Sequence, residues 1–212
     1  MPDTRIPLVF IVDDPPINVS YFLRKQQHDR GILRPSRGGF SLFLDRWQEM
    51  EASQIIPNAF WRRFIGWARE VGVKGKFSLL PCPAGLGFID DQVEGYTDAE
   101  LAELLDLVRT EYTQNFDITP EILTHTLAWD LAKGELLPIM EHEWMAQQTE
   151  ETLAGFMAKG LEVLRNVGIV APGITQPCNF PGDEALYARA VLEAVKRVHG
   201  GTHTFYFLNT EA

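Results

Sequence analysis

VFIVDDPPIN, from Val9 to Asn18, is the stretch on which the fold turns. Leu8 to Val12 is an unbroken apolar run. Such a run reads as a strand buried on both faces, the habit of a parallel sheet covered by helices. Pro15 and Pro16 end it, because neither can donate a hydrogen bond to a sheet ladder. Neighbouring strand residues point to opposite faces, so Asp13 and Asp14 serve one site only where the strand stops. Their like charges repel, and a bound cation relieves that repulsion. The competing reading is a plain turn, with Asp13 capping the chain and Asp14 solvated, since Asp is common in turns.

Outward from this stretch, strand and helix patterns alternate. Further strands are predicted at Lys76 to Leu80, Glu121 to Thr124, Ile174 to Cys178 and Thr204 to Leu208. Between them lie apolar stripes at helical spacing, read as core. One is Phe60, Phe64, Trp67, Ala68 and Val71, with Asn58 as a cap. Another is Leu101 to Tyr112, opened by the capping-box pattern Thr97-Asp98-Ala99-Glu100. The rest run from Leu153 to Leu164 and from Tyr187 to Val198, the last capped by Asp183 and closed by Gly200-Gly201. Residues 24–40 are basic and glycine-containing and read as a loop. A short helix is predicted from Phe40 to Met50, and a loop rich in Trp, His and Glu after Thr126. The alternation predicts one α/β domain over residues 1–212, with parallel strands in a sheet or barrel.

Composition narrows the partners. The chain has 212 residues, 45% hydrophobic and 23% charged, with a formal net charge of -10. An acidic surface disfavours nucleic acid and anionic membranes. Cys82 and Cys178 are the only cysteines. They form no disulfide framework or zinc-finger spacing, and they read as small buried apolar residues. The N-terminus has no signal-peptide pattern and no apolar run is long enough for a membrane span, so a cytoplasmic protein is expected.

In parallel α/β folds, sites gather beyond the carboxyl ends of the strands. Those ends carry Asp13 and Asp14, then Pro81-Cys82-Pro83, then His125, Trp129 and Asp130, then Gln176, Cys178 and Asn179, and last Asn209. One aspartate would bind a divalent cation while the other takes a proton from water. A glycosidase using two carboxylates would need a further acid such as Glu121 or Asp130.

These residues resemble the polysaccharide deacetylase family, carbohydrate esterases with a distorted (β/α) barrel. Ile11-Val12-Asp13-Asp14-Pro15-Pro16 is similar to the family's Thr-Phe-Asp-Asp-Gly-Pro. Glu121-Ile122-Leu123-Thr124-His125-Thr126 is similar to its Glu-Ile-Gly-Asn-His-Thr, and Gly72 to Leu80 resembles its second helix and strand. The resemblance implies a distorted or incomplete (β/α) barrel and a metal-dependent hydrolase removing an acyl group from a carbohydrate or related amide. Asp13 would be the base, with Asp14 and His125 on a divalent metal, zinc first. The oxyanion would be held near Asn179. The chain departs from the pattern at several points. Trp129 stands where the second motif histidine would be, so Asp130 is the nearest replacement ligand, with His142 or His28 further off. Gln176 stands for an arginine and Pro15 for a glycine, and His203 lies at the wrong end of its strand. The strands also number about five, fewer than a full barrel. Trp129 and Trp144 would offer aromatic platforms to a sugar, or close the core. A non-catalytic relative that binds carbohydrate or a protein partner without metal, alone or as an oligomer, is the alternative.

Overall fold

The computed structural model describes residues 9–32, 46, 48–49 and 54–209. Strands β1 (Phe10–Val12), β2 (Gly75–Leu79) and β3 (Phe116–Pro120) form a parallel sheet in that order. Strands β4 (Leu127–Asp130) and β5 (Glu135–Met140) form an antiparallel hairpin. Strands β6 (Gly173–Asn179) and β7 (Phe205–Asn209) form a second parallel pair. The two parallel sheets meet at β3 and β6. The Ile122 N–H donates to the Thr175 carbonyl at 3.2 Å, and the Thr119 and Thr175 hydroxyls are 2.8 Å apart. Among the described residues the strands close no ring, since β1 pairs only with β2 and β7 only with β6.

Two glycines set the strand spacing. Gly75 opens β2 opposite Phe10, and Gly173 opens β6 opposite Phe205. At each, an added Cβ would overlap the carbonyl oxygen of the phenylalanine opposite. Along β2, Phe77 and Leu79 join the hydrophobic core, while Lys76 and Ser78 alternate onto the other face. With Thr119 and Thr175 they make that face polar, and all four are buried.

Helices α1 (Val19–Asp29), α2 (Asn58–Val71), α3 (Asp98–Thr110), α4 (Glu141–Met145), α5 (Glu150–Asn166) and α6 (Glu184–His199) complete the described part. The predicted caps hold at α3 and α6. Thr97 and Glu100 bond reciprocally, and Asp183 accepts from the Ala185 and Leu186 N–H groups. Gly200 ends α6 in the left-handed region at φ +69°. No helix among the described residues is long and apolar enough to cross a membrane.

Several predicted boundaries move. The loop predicted over 24–40 is helical up to Asp29, because Asn18 caps α1 and Val19, Tyr21 and Phe22 bury one face. Its basic residues are no obstacle, since Arg24 is itself buried. Arg34, Arg37 and nearly all of the helix predicted over 40–50 lie outside the described residues. The strand predicted at 121–124 ends instead at Pro120, so Glu121 to Thr124 form the turn beyond it. The loop predicted after Thr126 is the β4–β5 hairpin followed by α4. On α2 the core face is Trp61, Ile65 and Ala68, while Phe60, Trp67 and Val71 are exposed. The aromatic stripe is therefore rotated from the predicted one, and Pro57 rather than Asn58 takes the cap position.

Candidate functional site

Among the described residues, all five non-glycine residues with positive φ lie at or beyond the carboxyl ends of parallel strands. Asp14 (φ +70°) follows β1, Ala84 (φ +50°) follows β2, Ile122 (φ +45°) and His125 (φ +57°) follow β3, and Cys178 (φ +55°) is near the end of β6. Side chains other than glycine rarely adopt this conformation, and it concentrates where geometry serves a site.

Three of these strand ends converge. The Asp14 N–H donates to Glu121 Oε2 at 3.2 Å. His125 Nδ1 is 2.9 Å from Asp14 Oδ1 and 3.0 Å from Glu121 Oε1. Asp14 Oδ1 and His125 Nδ1 are both buried, and they face each other without the alignment of a hydrogen bond. One donor atom from each of Asp14, Glu121 and His125 falls within 4.8 Å of the others, and among the described residues no other such group of three exists. Two oxygens and one nitrogen at this spacing fit a divalent cation.

Burial and neighbouring charges shift both Glu121 and His125. Glu121 is buried, and burial pushes its carboxyl up; the Asp14 and Asp13 charges add to this, while His125 opposes it. Burial opposes the His125 charge, but Glu121, Asp14 and Cys178 outweigh it and hold the imidazole well above its usual range. Cys178 Sγ lies 3.9 Å from His125 Nε2, on the ring edge away from the carboxylates. Desolvation of the sulfur would raise this thiol, but His125 and His142 hold it down at about 6. Cys178 is an exposed residue, so its reading as a small buried apolar group is corrected, whereas Cys82 is buried as predicted.

Asp13 belongs to a different network. Its Oδ1 accepts from the buried Lys76 ammonium at 2.8 Å and from the Ser78 hydroxyl at 3.0 Å. Lys76 also donates to Thr175 Oγ1 at 3.0 Å. The Asp13 side chain keeps 47% of its surface in solvent. The two adjacent aspartates therefore diverge, one toward a lysine and one toward the histidine.

Glu141 is 1% exposed, and burial pushes its carboxyl up to about 7 despite bonds from the Thr124, His125 and Leu123 backbone. A carboxyl harder to ionise when folded adds stability below its unfolded pKa and loses it as pH rises through its folded one. A raised histidine acts in the same direction. The protein is therefore expected to become less stable as pH rises from 4.5 through about 7, with Glu141 alone contributing on the order of 3 kcal/mol. Urea midpoints across this range measure it, and a midpoint that rises with pH would contradict it.

The remaining predicted site residues are dispersed. Asp130 is not in the ligand group. Its carboxylate accepts from the Ala132 and Lys133 N–H groups and closes the hairpin turn, which replaces its predicted role as a ligand. Trp129 packs edge-on against Phe88 and lines a cavity of about 280 Å³ with Leu137, Trp144 and Phe156. Gln176 is buried on β6, and Asn179 is half-buried beside Asn209. His28 is exposed against Asp29, and His203 is exposed before β7. Glu121, considered above only as an acid for glycoside cleavage, is the third member of the group. Its position four residues before His125 was the available signal. Comparison with protein-family models, characterised proteins and solved structures returns no match, so the geometry alone carries the functional reading.

Proposed function

We propose that this chain is a metal-dependent hydrolase of the polysaccharide-deacetylase type, acting on an acyl group of a carbohydrate or related amide. The observation that carries this reading is the convergence of Asp14, Glu121 and His125 at the strand ends, with two buried donor atoms lacking hydrogen-bond partners. In this reading the two parallel sheets are parts of an opened (β/α) barrel, and its polar inner face lies under the site. Glu121 takes the third ligand place that Trp129 leaves vacant in the motif.

Asp14, Glu121 and His125 would hold a divalent metal, zinc first among the candidates. When bound, the metal supplies Lewis acidity toward the acyl carbonyl and toward water. Asp13 lies beside the group yet is held apart by Lys76 and Ser78, and half its surface is open to solvent. It accepts the proton from the attacking water. By the same resemblance, backbone N–H groups near Asn179 would hold the developing oxyanion.

One observation favours a second reading. Cys178, His125 and Glu121 stand in the order nucleophile, base and orienting carboxylate, at 3.9 and 3.0 Å. A cysteine-dependent acyl transfer would use the same histidine without metal.

Metal content of the purified chain separates the two. About one zinc, cobalt or nickel per chain is expected, together with acetate release from acetylated chitooligosaccharides that a chelator stops. A chain that stays metal-free after incubation with excess zinc would overturn the hydrolase reading. Hydrolysis blocked by iodoacetamide but untouched by the chelator would favour the thiol.

A further inference from the structure

We propose that Glu141 is a positioning residue of this site, whose carboxylate clamps the turn that presents His125. The inference deepens the metal-hydrolase reading and rests on it for its functional meaning.

Three consecutive backbone N–H groups point at one buried carboxylate. Leu123 and Thr124 donate to Glu141 Oε1 at 3.2 and 3.0 Å, and His125 donates to Oε2 at 2.9 Å. The Glu141 N–H returns a bond to the Thr126 carbonyl at 2.9 Å, so side chain and backbone grip both sides of His125. The carboxyl group offers oxygens to all three N–H groups, whereas the amide of glutamine would set donor against donor at one position.

The turn needs such a clamp. Ile122 and His125 both hold positive φ, a conformation that neither side chain favours and that persists only where the surroundings dictate it. Without the clamp the turn would relax toward ordinary backbone angles. The imidazole would then rotate away from Asp14 and Glu121, which meet it at 2.9 and 3.0 Å. Glu141 is not one of the three grouped residues. It comes from the far end of the β4–β5 hairpin, so the hairpin ties itself to the site through this residue.

The test uses the full chain with zinc and cobalt as probes. Glu141→Gln is expected to weaken zinc binding about tenfold or more, as loss of an outer-sphere partner does, and to change the visible spectrum of the cobalt form. Amide exchange at Leu123, Thr124 and His125 should accelerate about tenfold or more while the β2 amides keep their rates. Glu143→Gln, on the same short helix, should change none of these. Should Glu141→Gln fail to fold, Glu141→Asp replaces it and should show the same effects in weaker form. Wild-type zinc affinity in the folded variant, or wild-type exchange in the turn, would overturn the inference. If the wild-type chain binds neither zinc nor cobalt, the hydrolase reading falls separately. The exchange comparison then decides the clamp alone, upheld by selective acceleration and overturned by its absence.

Discussion

Asp14→Ala is expected to lower zinc affinity by roughly a hundredfold or more, because a site with three protein donors would be left with two. Asp14 comes from the end of β1, whereas Glu121 and His125 share one turn after β3, so no nearby carboxylate on its own strand replaces it. Asp13 is the obvious substitute in sequence, but it is engaged by Lys76 and Ser78. Asp14→Asn is the sharper variant. It keeps the shape and the Asp14 N–H bond to Glu121 while removing the charge. A competition assay against a chromophoric chelator reads both. Asp13→Asn should leave zinc affinity within a few-fold of wild type and abolish hydrolysis, which separates ligand from base. Zinc affinity unchanged in Asp14→Asn would remove Asp14 from the site. Equal losses in Asp13→Asn and Asp14→Asn would instead mean that the two carboxylates act together, contrary to their divergent bonds.

Part of the architecture was legible in the chain because an apolar run marks a strand and capping residues are local, although β1 is not the doubly buried strand its run predicts, since Ile11 is 52% exposed. The strands read at Leu8 to Val12 and Lys76 to Leu80 and the Thr97 box needed no distant information. Asp13, Asp14 and His125 followed from asking what lies beyond each strand. The residues that were missed depend on register. Glu121 meets Asp14 only because β1, β2 and β3 run parallel in that order, which brings together positions 107 residues apart. Lys76 read as an ordinary strand residue, and only the pairing of Lys76 with Ile11 sets it beneath Asp13. Glu141 sat in an acidic run that resembled a solvated loop, and its burial follows from the hairpin folding back. Asp130 looked like a ligand by proximity to Trp129, but the hairpin turn needs its carboxylate locally. Local pattern thus revealed the elements, and long-range pairing decided which carboxylates face one another.

Gly75→Ala is expected to be the most damaging small substitution in the sheet. The added methyl would overlap the Phe10 carbonyl oxygen and lie 2.7 Å from its carbon. Those are backbone atoms, so no side-chain rotation relieves the contact, and β1 must move away from β2. The Phe10 N–H bond to the Lys74 carbonyl at 3.0 Å would go with it. Overpacking of this kind costs about 3 kcal/mol or more when backbone has to shift. Gly66→Ala supplies the comparison. Gly66 is exposed in the middle of α2 with nothing within 4 Å of an added Cβ. There alanine should stabilise by about 1 kcal/mol through helix propensity. The two variants make the same chemical change, so their opposite shifts in urea midpoint isolate the contact at Phe10. Because β1 is the strand that delivers Asp13 and Asp14, Gly75→Ala should also weaken zinc binding in whatever fraction remains folded, while Gly66→Ala leaves it intact. Equal stability of the two variants would mean that β1 is not held against β2 in the observed register. The approach of Asp14 to Glu121 and His125 would then lose its structural basis, since only that register brings the end of β1 to the end of β3.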